Sequence, residues 1–438
     1  MMDAAEVAHW KAMMEWEGQR SAPPEGFPAL PDMPAARYTS PEYYALEQAH
    51  VFRKSWLFAG HMDEIPEPGC FMRWDNAGEP VVIVHGMDGV VRAFYNICRH
   101  RGAPVVTEER GKAPRLVCAY HHWTYKTDGT LVGLPERRDF PPDFDLSCRS
   151  LIPLRCERFG KVIFVNFDDQ AMPLIDWLGP LAREWEEFAF DRIRLAARHS
   201  FDLNCNWKVA MEANMEVYHV PYIHPSTVAQ FVDPRRNHNT FYPNGHARML
   251  APTPQGTSRE HARGIDSPPG WHPIESVGEL GRSCTQSYTL FPNWVSPLSN
   301  FFVPPLLFWP TSLTTTRFEV VTMALDWEAD APPPDLWTVP DPDAPNGRRL
   351  SQVLLEDTRF GEAIQQAMQG AAFRSVPLSY QEARIYAFHQ ALDAMIGIAD
   401  VPPELRVAPV IGPAWIWPND PRPALRDAAA TAACEAAE

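Results

Sequence analysis

Two short segments of the sequence carry cysteine and histidine at the spacing of metal ligands. Cys98 and His100 form a Cys-x-His pair, and Cys118 and His121 form a Cys-x-x-His pair further along the chain. Two thiolates can hold one iron of a diiron centre while two imidazoles hold the other, which raises the reduction potential of the centre. The four residues therefore predict a 2Fe-2S cluster that passes single electrons.

A structural zinc site is the alternative for these four residues, because two cysteines and two histidines are a common zinc set. Zinc fingers usually pair cysteine with cysteine and histidine with histidine, whereas a mixed-ligand diiron cluster needs one of each in both pairs. The alternation favours iron. His122 follows the second pair directly. Because the Cys-x-x-His spacing selects His121, we interpret His122 as a surface histidine or as a neighbour of the cluster.

A second candidate metal site lies in residues 206–225. His219 and His224 are five positions apart, and a regular helix does not place two such positions on one face. Pro221 and Pro225 are expected to break the helix, so that the second imidazole can turn back towards the first. Two histidines and one carboxylate leave open positions on non-haem Fe(II) for O2 beside a substrate. An acidic third ligand is therefore required.

Together the two segments resemble the α-subunits of Rieske non-haem iron oxygenases. Arg101, Gly102, Tyr120 and Trp123 match the Rieske signature around the cysteines and histidines. The sequence departs from that signature at Ala119, where the family usually has proline, and at His122, where it usually has glycine. The resemblance extends from the helix predicted after Ser40 to the helix that carries Asp357.

The resemblance also implies the remaining residues of the second site. In the family, an acid on a late helix supplies the third iron ligand, which implies Asp357, with Glu356 as the alternative. An acid three residues before the first histidine, usually aspartate, carries electrons from a Rieske histidine of a neighbouring subunit to the mononuclear iron. Here that acid is Glu216, and both Glu216 and His219 are predicted on one helix face. Glutamate at this position resembles oxygenases of quaternary amines such as carnitine and glycine betaine.

The expected fold class is α+β, and the pattern divides the chain into three parts. Residues 1–56 are predicted to form an N-terminal arm and a helix that pack on the catalytic domain. Short β-type runs separated by Gly, Asp, Asn and Pro predict an all-β Rieske domain at 57–168, with strands at Cys70–Trp74, Val81–His85 and Val91–Tyr95. Residues 169–438 are predicted to form the catalytic domain, for which the family implies a helix-grip fold with an antiparallel sheet. Within it, helices are predicted over residues 174–190, 207–218 and 350–370. Residues 253–273, rich in Pro, Gly and Ser, are predicted to form a lid or channel loop.

Composition excludes several classes of protein. The formal net charge of −16 opposes binding to a phosphate backbone, so we expect no nucleic-acid partner. Apolar runs fall far short of the ~20 residues that cross a bilayer, and no export signal is visible. We therefore expect a cytoplasmic protein without a membrane span.

The resemblance implies a terminal oxygenase that uses O2 and reductase-supplied electrons. We expect it to hydroxylate or oxidatively demethylate a small aromatic or methylated-amine substrate at a mononuclear Fe(II). An NAD(P)H-dependent reductase, directly or through a ferredoxin, is the implied partner, and a homotrimer with or without a small β-subunit is the implied assembly. The substrate cavity is predicted to be walled by Phe291–Trp294, Phe301–Phe302 and Leu306–Trp309. The alternative function is an electron carrier or a metal-binding scaffold whose second iron site does not work.

Overall fold

The computed structural model describes residues 2–254, 271–328 and 330–418. The chain forms two compact units. One is Phe52–Trp177, and the other combines the described parts of Met1–Val51 and Leu178–Glu438. The loop predicted at 253–273 falls largely outside the described residues.

All paired strands of the numbered elements are antiparallel. In chain order they are β1 Met33–Pro34, β2 Leu57–His61, β3 Cys70–Trp74, β4 Val81–His85, β5 Val91–Tyr95, β6 Arg110–Lys112, β7 Arg115–Val117, β8 Thr124–Lys126, β9 Leu131–Gly133, β10 Pro153–Phe159, β11 Val162–Asn166, β12 Arg194–Leu203, β13 His238–Phe241, β14 Ala247–Pro252, β15 Cys284–Leu290, β16 Trp294–Leu298, β17 Phe302–Val303, β18 Leu306–Ser312, β19 Thr315–Ala324, β20 Thr338–Pro340, β21 Arg348–Leu350 and β22 Ser375–Val376. The α-helices are α1 Ala4–Gln19, α2 Pro41–Leu46, α3 Leu174–Leu178, α4 Pro180–Trp185, α5 Trp207–Glu212, α6 Val220–Ile223, α7 Glu279–Ser283, α8 Gln352–Thr358, α9 Gly361–Met368 and α10 Ala383–Ile396.

The unit Phe52–Trp177 is built from two sheets. The larger sheet has the strand order β2-β11-β10-β5-β4-β3-β6, and the smaller one has the order β7-β8-β9. β-branched residues pack well on the pleated surface of a sheet, and all four residues of Val81–Val84 are β-branched and fully buried. Gly89 supplies the positive φ of +80° that the β4–β5 hairpin turn requires. The strands predicted at Cys70–Trp74, Val81–His85 and Val91–Tyr95 are confirmed.

The other unit is dominated by one long sheet. Its strand order is β12-β19-β18-β16-β15-β14-β13, and β17 pairs with β19. Side chains alternate between the two faces of a strand. Met249, Thr285, Ser287, Val295 and Pro297 lie on one face of this sheet and line a cavity. The fold class predicted from the sequence, a β domain and an antiparallel α+β domain, is confirmed.

The helix predicted after Ser40 is present. The Ser40 side chain accepts a hydrogen bond from the Tyr43 amide at 3.2 Å, and Pro41 occupies the first helical position. Both features are favoured at a helix start. The helix then continues as a π-helix over Glu47–Phe52.

Three predicted helices are shorter than expected. The helix predicted over residues 174–190 is interrupted at Gly179, where φ is +53°. The one predicted over residues 350–370 divides into α8 and α9. The one predicted over residues 207–218 ends at Glu212. Beyond it, the Asn214 backbone amide donates to the Met211 carbonyl at 2.9 Å, and the Asn214 side-chain amide donates to the Ala210 carbonyl at 3.3 Å. Glu216 therefore does not lie on a helix, and the prediction that it shares a helix face with His219 is wrong.

A buried ion pair anchors α5. Lys208 Nζ lies 2.6 Å from Glu47 Oε1, and both side chains are fully buried. The Trp207 indole donates to the second oxygen of Glu47 at 3.1 Å. Buried charges require such pairing. The contacts therefore hold α5, which begins the segment that leads to His219 and His224, against the π-helix Glu47–Phe52. Within the part of the chain described, no helix has both the length and the apolar character that a membrane crossing requires.

Candidate functional site

The first group of predicted ligands lies on two loops of the unit Phe52–Trp177. Cys98 and His100 lie between β5 and β6, and Cys118 and His121 lie between β7 and β8. Each loop is a tight turn. The Gly102 amide donates to the Cys98 carbonyl at 3.0 Å, and the His122 amide donates to the Cys118 carbonyl at 2.9 Å. His122 takes a positive φ of +58°, at the position where the Rieske signature usually has glycine.

The side chains of the two loops converge. The rings of His100 and His121 have centroids 4.6 Å apart. The His100 ring also stacks on Trp123 at 4.8 Å with an interplanar angle of 8°. Cys98 and Cys118 are buried, with 3% and 2% of their surface exposed, and neither forms a disulfide. The structure thus brings two thiols and two imidazoles together on two neighbouring loops of this unit.

These residues fit a 2Fe-2S cluster. The buried Nδ1 atom of His100 has no hydrogen-bond partner in the described structure, and an orphaned buried nitrogen of this kind calls for a ligand. Sulfur and imidazole donors in equal number are the set that a mixed-ligand diiron cluster takes. The Tyr125 hydroxyl lies 3.4 Å from Cys98 Sγ and accepts a hydrogen bond from the Arg99 amide at 3.0 Å. Tyr125 was not singled out from the sequence.

The second group of predicted ligands converges in the other unit. His219 immediately precedes the short helix α6, His224 immediately follows it, and Asp357 lies on α8. Asp357 Oδ1 lies 2.7 Å from His224 Nε2 and 3.4 Å from His219 Nε2. One ligand atom from each residue lies within 4.8 Å of the other two. Two imidazoles and one carboxylate fit a mononuclear iron with open coordination positions.

Each histidine has a second carboxylate on its other ring nitrogen. Glu216 contacts Nδ1 of His219 with one oxygen and accepts the His219 backbone amide at 3.1 Å with the other. Nδ1 of His224 donates to Glu356 Oε2 at 2.7 Å. Both Nε2 atoms are therefore turned towards Asp357. Glu356, the alternative third ligand considered above, faces the side of His224 opposite Asp357.

In both histidines the neighbouring carboxylates raise the pKa by more than burial lowers it. Burial alone would lower the pKa of His219, but its hydrogen bonds with Asp357 and Glu216 raise that pKa to about 10. Burial would raise the pKa of Glu356, but hydrogen bonds from Gln352, Thr227 and His224 bring it below its usual value. Glu356 is therefore an anion at neutral pH.

The three residues open onto a cavity of about 620 Å³. His219, His224, Asp357 and Glu216 all contribute to its wall. The rest of the described wall is apolar or neutral and includes the aromatic side chains of Phe231, Phe302 and Trp337. A volume of this size accommodates a small organic molecule.

The cavity wall was predicted only in part. Of the segments Phe291–Trp294, Phe301–Phe302 and Leu306–Trp309, the structure places Phe302 and Leu306 on the wall. Val295 and Pro297 line the cavity instead of Trp294, because alternate residues of β16 face opposite sides of the sheet. The hydrogen bonds of Thr227 and Gln352 to Glu356 were also missed, since neither residue stands in a recognisable motif.

Two protein families match the chain. Residues 55–148 match the family described as the Rieske 2Fe-2S domain. Residues 190–398 match the catalytic domain of the ring-hydroxylating alpha subunit. The predicted pair of iron cofactors is therefore confirmed at the level of the two domains.

Several curated proteins are similar in sequence. The glycine betaine monooxygenase oxygenase subunit of Chromohalobacter salexigens is 35% identical over 46% of this chain and 45% of its own length. The carnitine monooxygenase oxygenase subunit of Acinetobacter baumannii is 36% identical over 46% of this chain and 56% of its own length. The 2-aminobenzenesulfonate 2,3-dioxygenase subunit alpha of an Alcaligenes species is 32% identical over 48% and 55%. The matches span about half the length of these relatives.

Solved structures share the fold. A quaternary ammonium Rieske monooxygenase in complex with gamma-butyrobetaine aligns with a TM-score of 0.64 and 24% identity, over 86% of this chain and 99% of that one. Naphthalene 1,2-dioxygenase from a Rhodococcus species aligns with a TM-score of 0.68 and 19% identity, over 92% and 100%. Through both of its domains, this chain belongs to the family of Rieske non-haem iron oxygenase α-subunits.

Proposed function

We propose that the chain is the terminal oxygenase component of a Rieske oxygenase system. It uses O2 and electrons from a reductase to hydroxylate or oxidatively demethylate a small aromatic or methylated-amine substrate. The observation that carries this proposal is the convergence of His219, His224 and Asp357 on the wall of a cavity large enough for such a substrate.

The residue roles belong to the same proposal. Cys98, His100, Cys118 and His121 hold the 2Fe-2S cluster, and His219, His224 and Asp357 hold the mononuclear iron. When bound, the cluster supplies single electrons and the iron supplies a centre that activates O2 beside the substrate. The chain itself turns the ligand nitrogens inward and surrounds the reacting molecule with apolar walls. Residues 57–168 carry the electron-transfer function and residues 169–438 the catalytic function, with residues 1–56 as an arm and helix on the catalytic domain.

Glu216 is proposed to connect the electron source to the iron site. It lies on the cavity wall and contacts Nδ1 of His219. The neighbouring Tyr218 and Tyr222 are exposed at 56% and 74%, so this segment is accessible to a partner. We propose that a Rieske histidine of an adjacent subunit in a homotrimer docks here. A small β-subunit is compatible with such an assembly.

The cavity favours a methylated amine as the first substrate class to test. Phe231, Phe302 and Trp337 offer aromatic faces that attract a quaternary ammonium. The relatives named for glycine betaine and carnitine support this class, whereas the relative named for 2-aminobenzenesulfonate supports an aromatic substrate. No lysine or arginine lies on the described wall, so no ammonium or guanidinium group there repels a quaternary ammonium.

The alternative function, an electron carrier or a scaffold, is disfavoured by the second site. Electron transfer by the cluster alone does not require two histidines and an aspartate whose ligand atoms lie within 4.8 Å of one another beside a cavity. The proposed electron source is an NAD(P)H-dependent reductase, directly or through a ferredoxin, and its use of NAD(P)H is the reason to propose a cytoplasmic location.

Oxygen uptake coupled to product formation tests the proposal. The purified chain is combined with a reductase and NADH and is offered trimethylammonium compounds, aromatic acids and arenes in separate assays. We expect one class to give substrate-dependent oxygen uptake with hydroxylated or demethylated product. Asp357→Ala, which leaves the cluster ligands untouched, is the control and is expected to give no product. Equal product from the wild type and this variant would overturn the proposal.

A further inference from the structure

We propose that Glu356 is a positioning residue that fixes the orientation of His224 and strengthens it as a metal ligand. This inference rests on the proposed iron site. Glu356 is then not a metal ligand. It contacts the His224 imidazole on the side that faces away from the metal position.

Three hydrogen bonds hold the Glu356 side chain. Its Oε2 atom accepts from His224 Nδ1 at 2.7 Å and from the Thr227 hydroxyl at 2.7 Å, and its Oε1 atom accepts from the Gln352 amide at 2.9 Å. Glu356 is only 8% exposed. A buried carboxylate with both oxygens occupied has one stable orientation, so it presents the same acceptor to His224 at all times.

The acceptor determines which nitrogen of His224 faces the metal position. Because a carboxylate only accepts hydrogen bonds, Nδ1 of His224 must carry a proton. Nε2 is then the nitrogen available to a metal, and it lies 2.7 Å from Asp357 Oδ1. Outer carboxylates of this kind fix the tautomer and the ring orientation and raise the basicity of the ligand nitrogen.

Glu356 has no direct route to the substrate. Gln352, Leu354 and Asp357 from the same helix lie on the cavity wall, whereas Glu356 does not. A change at Glu356 therefore acts through His224 and not through lost contact with a bound molecule.

The two outer carboxylates of the site are held differently. Glu216 lies on the cavity wall and bonds only to the ring and the backbone amide of His219 among the described residues. Glu356 is held by the neutral side chains of Thr227 and Gln352 in addition to its histidine. Glu216 is thus free to exchange a partner, while Glu356 is fixed. This division assigns electron entry to the His219 side and rigid support to the His224 side.

Anaerobic titration with Fe(II) tests the inference. The mononuclear site of the holoprotein is emptied with a chelator under conditions that keep the visible spectrum of the cluster, and Fe(II) alone is added back. We expect Glu356→Gln to bind Fe(II) about 10–100-fold more weakly than the wild type. Thr227→Val keeps the carboxylate and removes one of its supports, so it should shift affinity in the same direction by less. Glu362→Gln removes the same charge from an exposed position on α9 and should leave the affinity unchanged.

Co(II) gives a second readout that general loss of stability would not move. With the site saturated, the visible bands of Co(II) should differ between Glu356→Gln and the wild type and should coincide between Glu362→Gln and the wild type. His224→Ala distinguishes a failure of the proposed iron site from a failure of the positioning role of Glu356. If it binds Fe(II) as tightly as the wild type, the proposed iron site is wrong. If it loses the metal while Glu356→Gln binds as tightly as the wild type with unchanged Co(II) bands, the positioning role is wrong.

Discussion

The buried ion pair of Lys208 and Glu47 predicts how much stability the protein loses when the lysine is replaced. Both side chains are fully buried, and their charged atoms lie 2.6 Å apart. Replacing Lys208 by Met would leave the Glu47 carboxylate without its counter-charge, and burial already raises the pKa of Glu47 despite the nearby lysine. Breaking a buried pair in this way costs about 3–5 kcal/mol. The unit that holds the pair spans Met1–Val51 and Leu178–Glu438, and at about 2.1 cal/mol/K of unfolding entropy per residue this cost corresponds to a fall of roughly 5–8 °C in its thermal midpoint.

Thermal unfolding followed by circular dichroism measures this loss, with two further variants as controls. Arg183→Met breaks an ion pair with Glu6 in which the arginine is 48% exposed, and should cost no more than about 1 kcal/mol. The double variant Lys208→Met/Glu47→Gln removes both charges and keeps an acceptor for the Trp207 indole, so it should recover most of the lost stability. If Lys208→Met costs as little as Arg183→Met, or if the double variant is no more stable than Lys208→Met, the assignment of this pair as the anchor of α5 is refuted.

Three other variants probe the two metal sites and the core. Cys118→Ala should abolish the visible absorption of the cluster, and a retained spectrum would contradict its role as a ligand. Glu216→Ala, assayed with excess Fe(II), should keep the cluster spectrum while product formation falls by more than about tenfold; unchanged turnover would remove its connecting role. Arg384 is fully buried, burial lowers its pKa, and its Nε and Nη1 atoms have no hydrogen-bond partner in the described structure. Arg384→Met should therefore raise the free energy of unfolding by about 1–3 kcal/mol in a denaturant titration. A loss of stability would show that other interactions of the guanidinium outweigh the cost of burying it.

The β unit was predictable because its signals are local. Runs such as Val81–His85 combine β-branched residues with flanking turn residues, and Gly89 marks the hairpin between two of them. The loops that carry Cys98, His100, Cys118 and His121 follow from ligand spacing, which needs no knowledge of tertiary contacts.

The path of the chain around the iron site was less predictable. The pattern predicted a helix through Tyr218, but the Asn214 backbone amide donates to the Met211 carbonyl instead of the Ala210 carbonyl, and its side chain takes up the Ala210 carbonyl. Pro221 is the second residue of the short helix α6 rather than the break in a longer one, because the first turn of a helix does not need its amide hydrogen. His219 and His224 meet because they lie at the two ends of this single turn.

Two further features of the site depend on how the helices and strands pack: which acid of α8 faces the histidines, and which residues of β16 line the cavity. Neighbouring residues on a helix point about 100° apart, so only one of Glu356 and Asp357 can face Nε2 of both histidines. The sequence alone does not determine which one does, since that depends on how α8 packs. Likewise, whether Trp294 or Val295 lines the cavity depends on which face of the sheet is covered, and composition does not reveal this.

Metal analysis of purified protein tests the central claim most directly. Iron and acid-labile sulfide are measured in the wild type and in Asp357→Ala. We expect about three irons and two sulfides per chain in the wild type. Asp357→Ala should hold about two irons with its sulfide and its visible spectrum unchanged. Zinc in place of iron in the wild type, or an equal iron content in both proteins, would contradict the account.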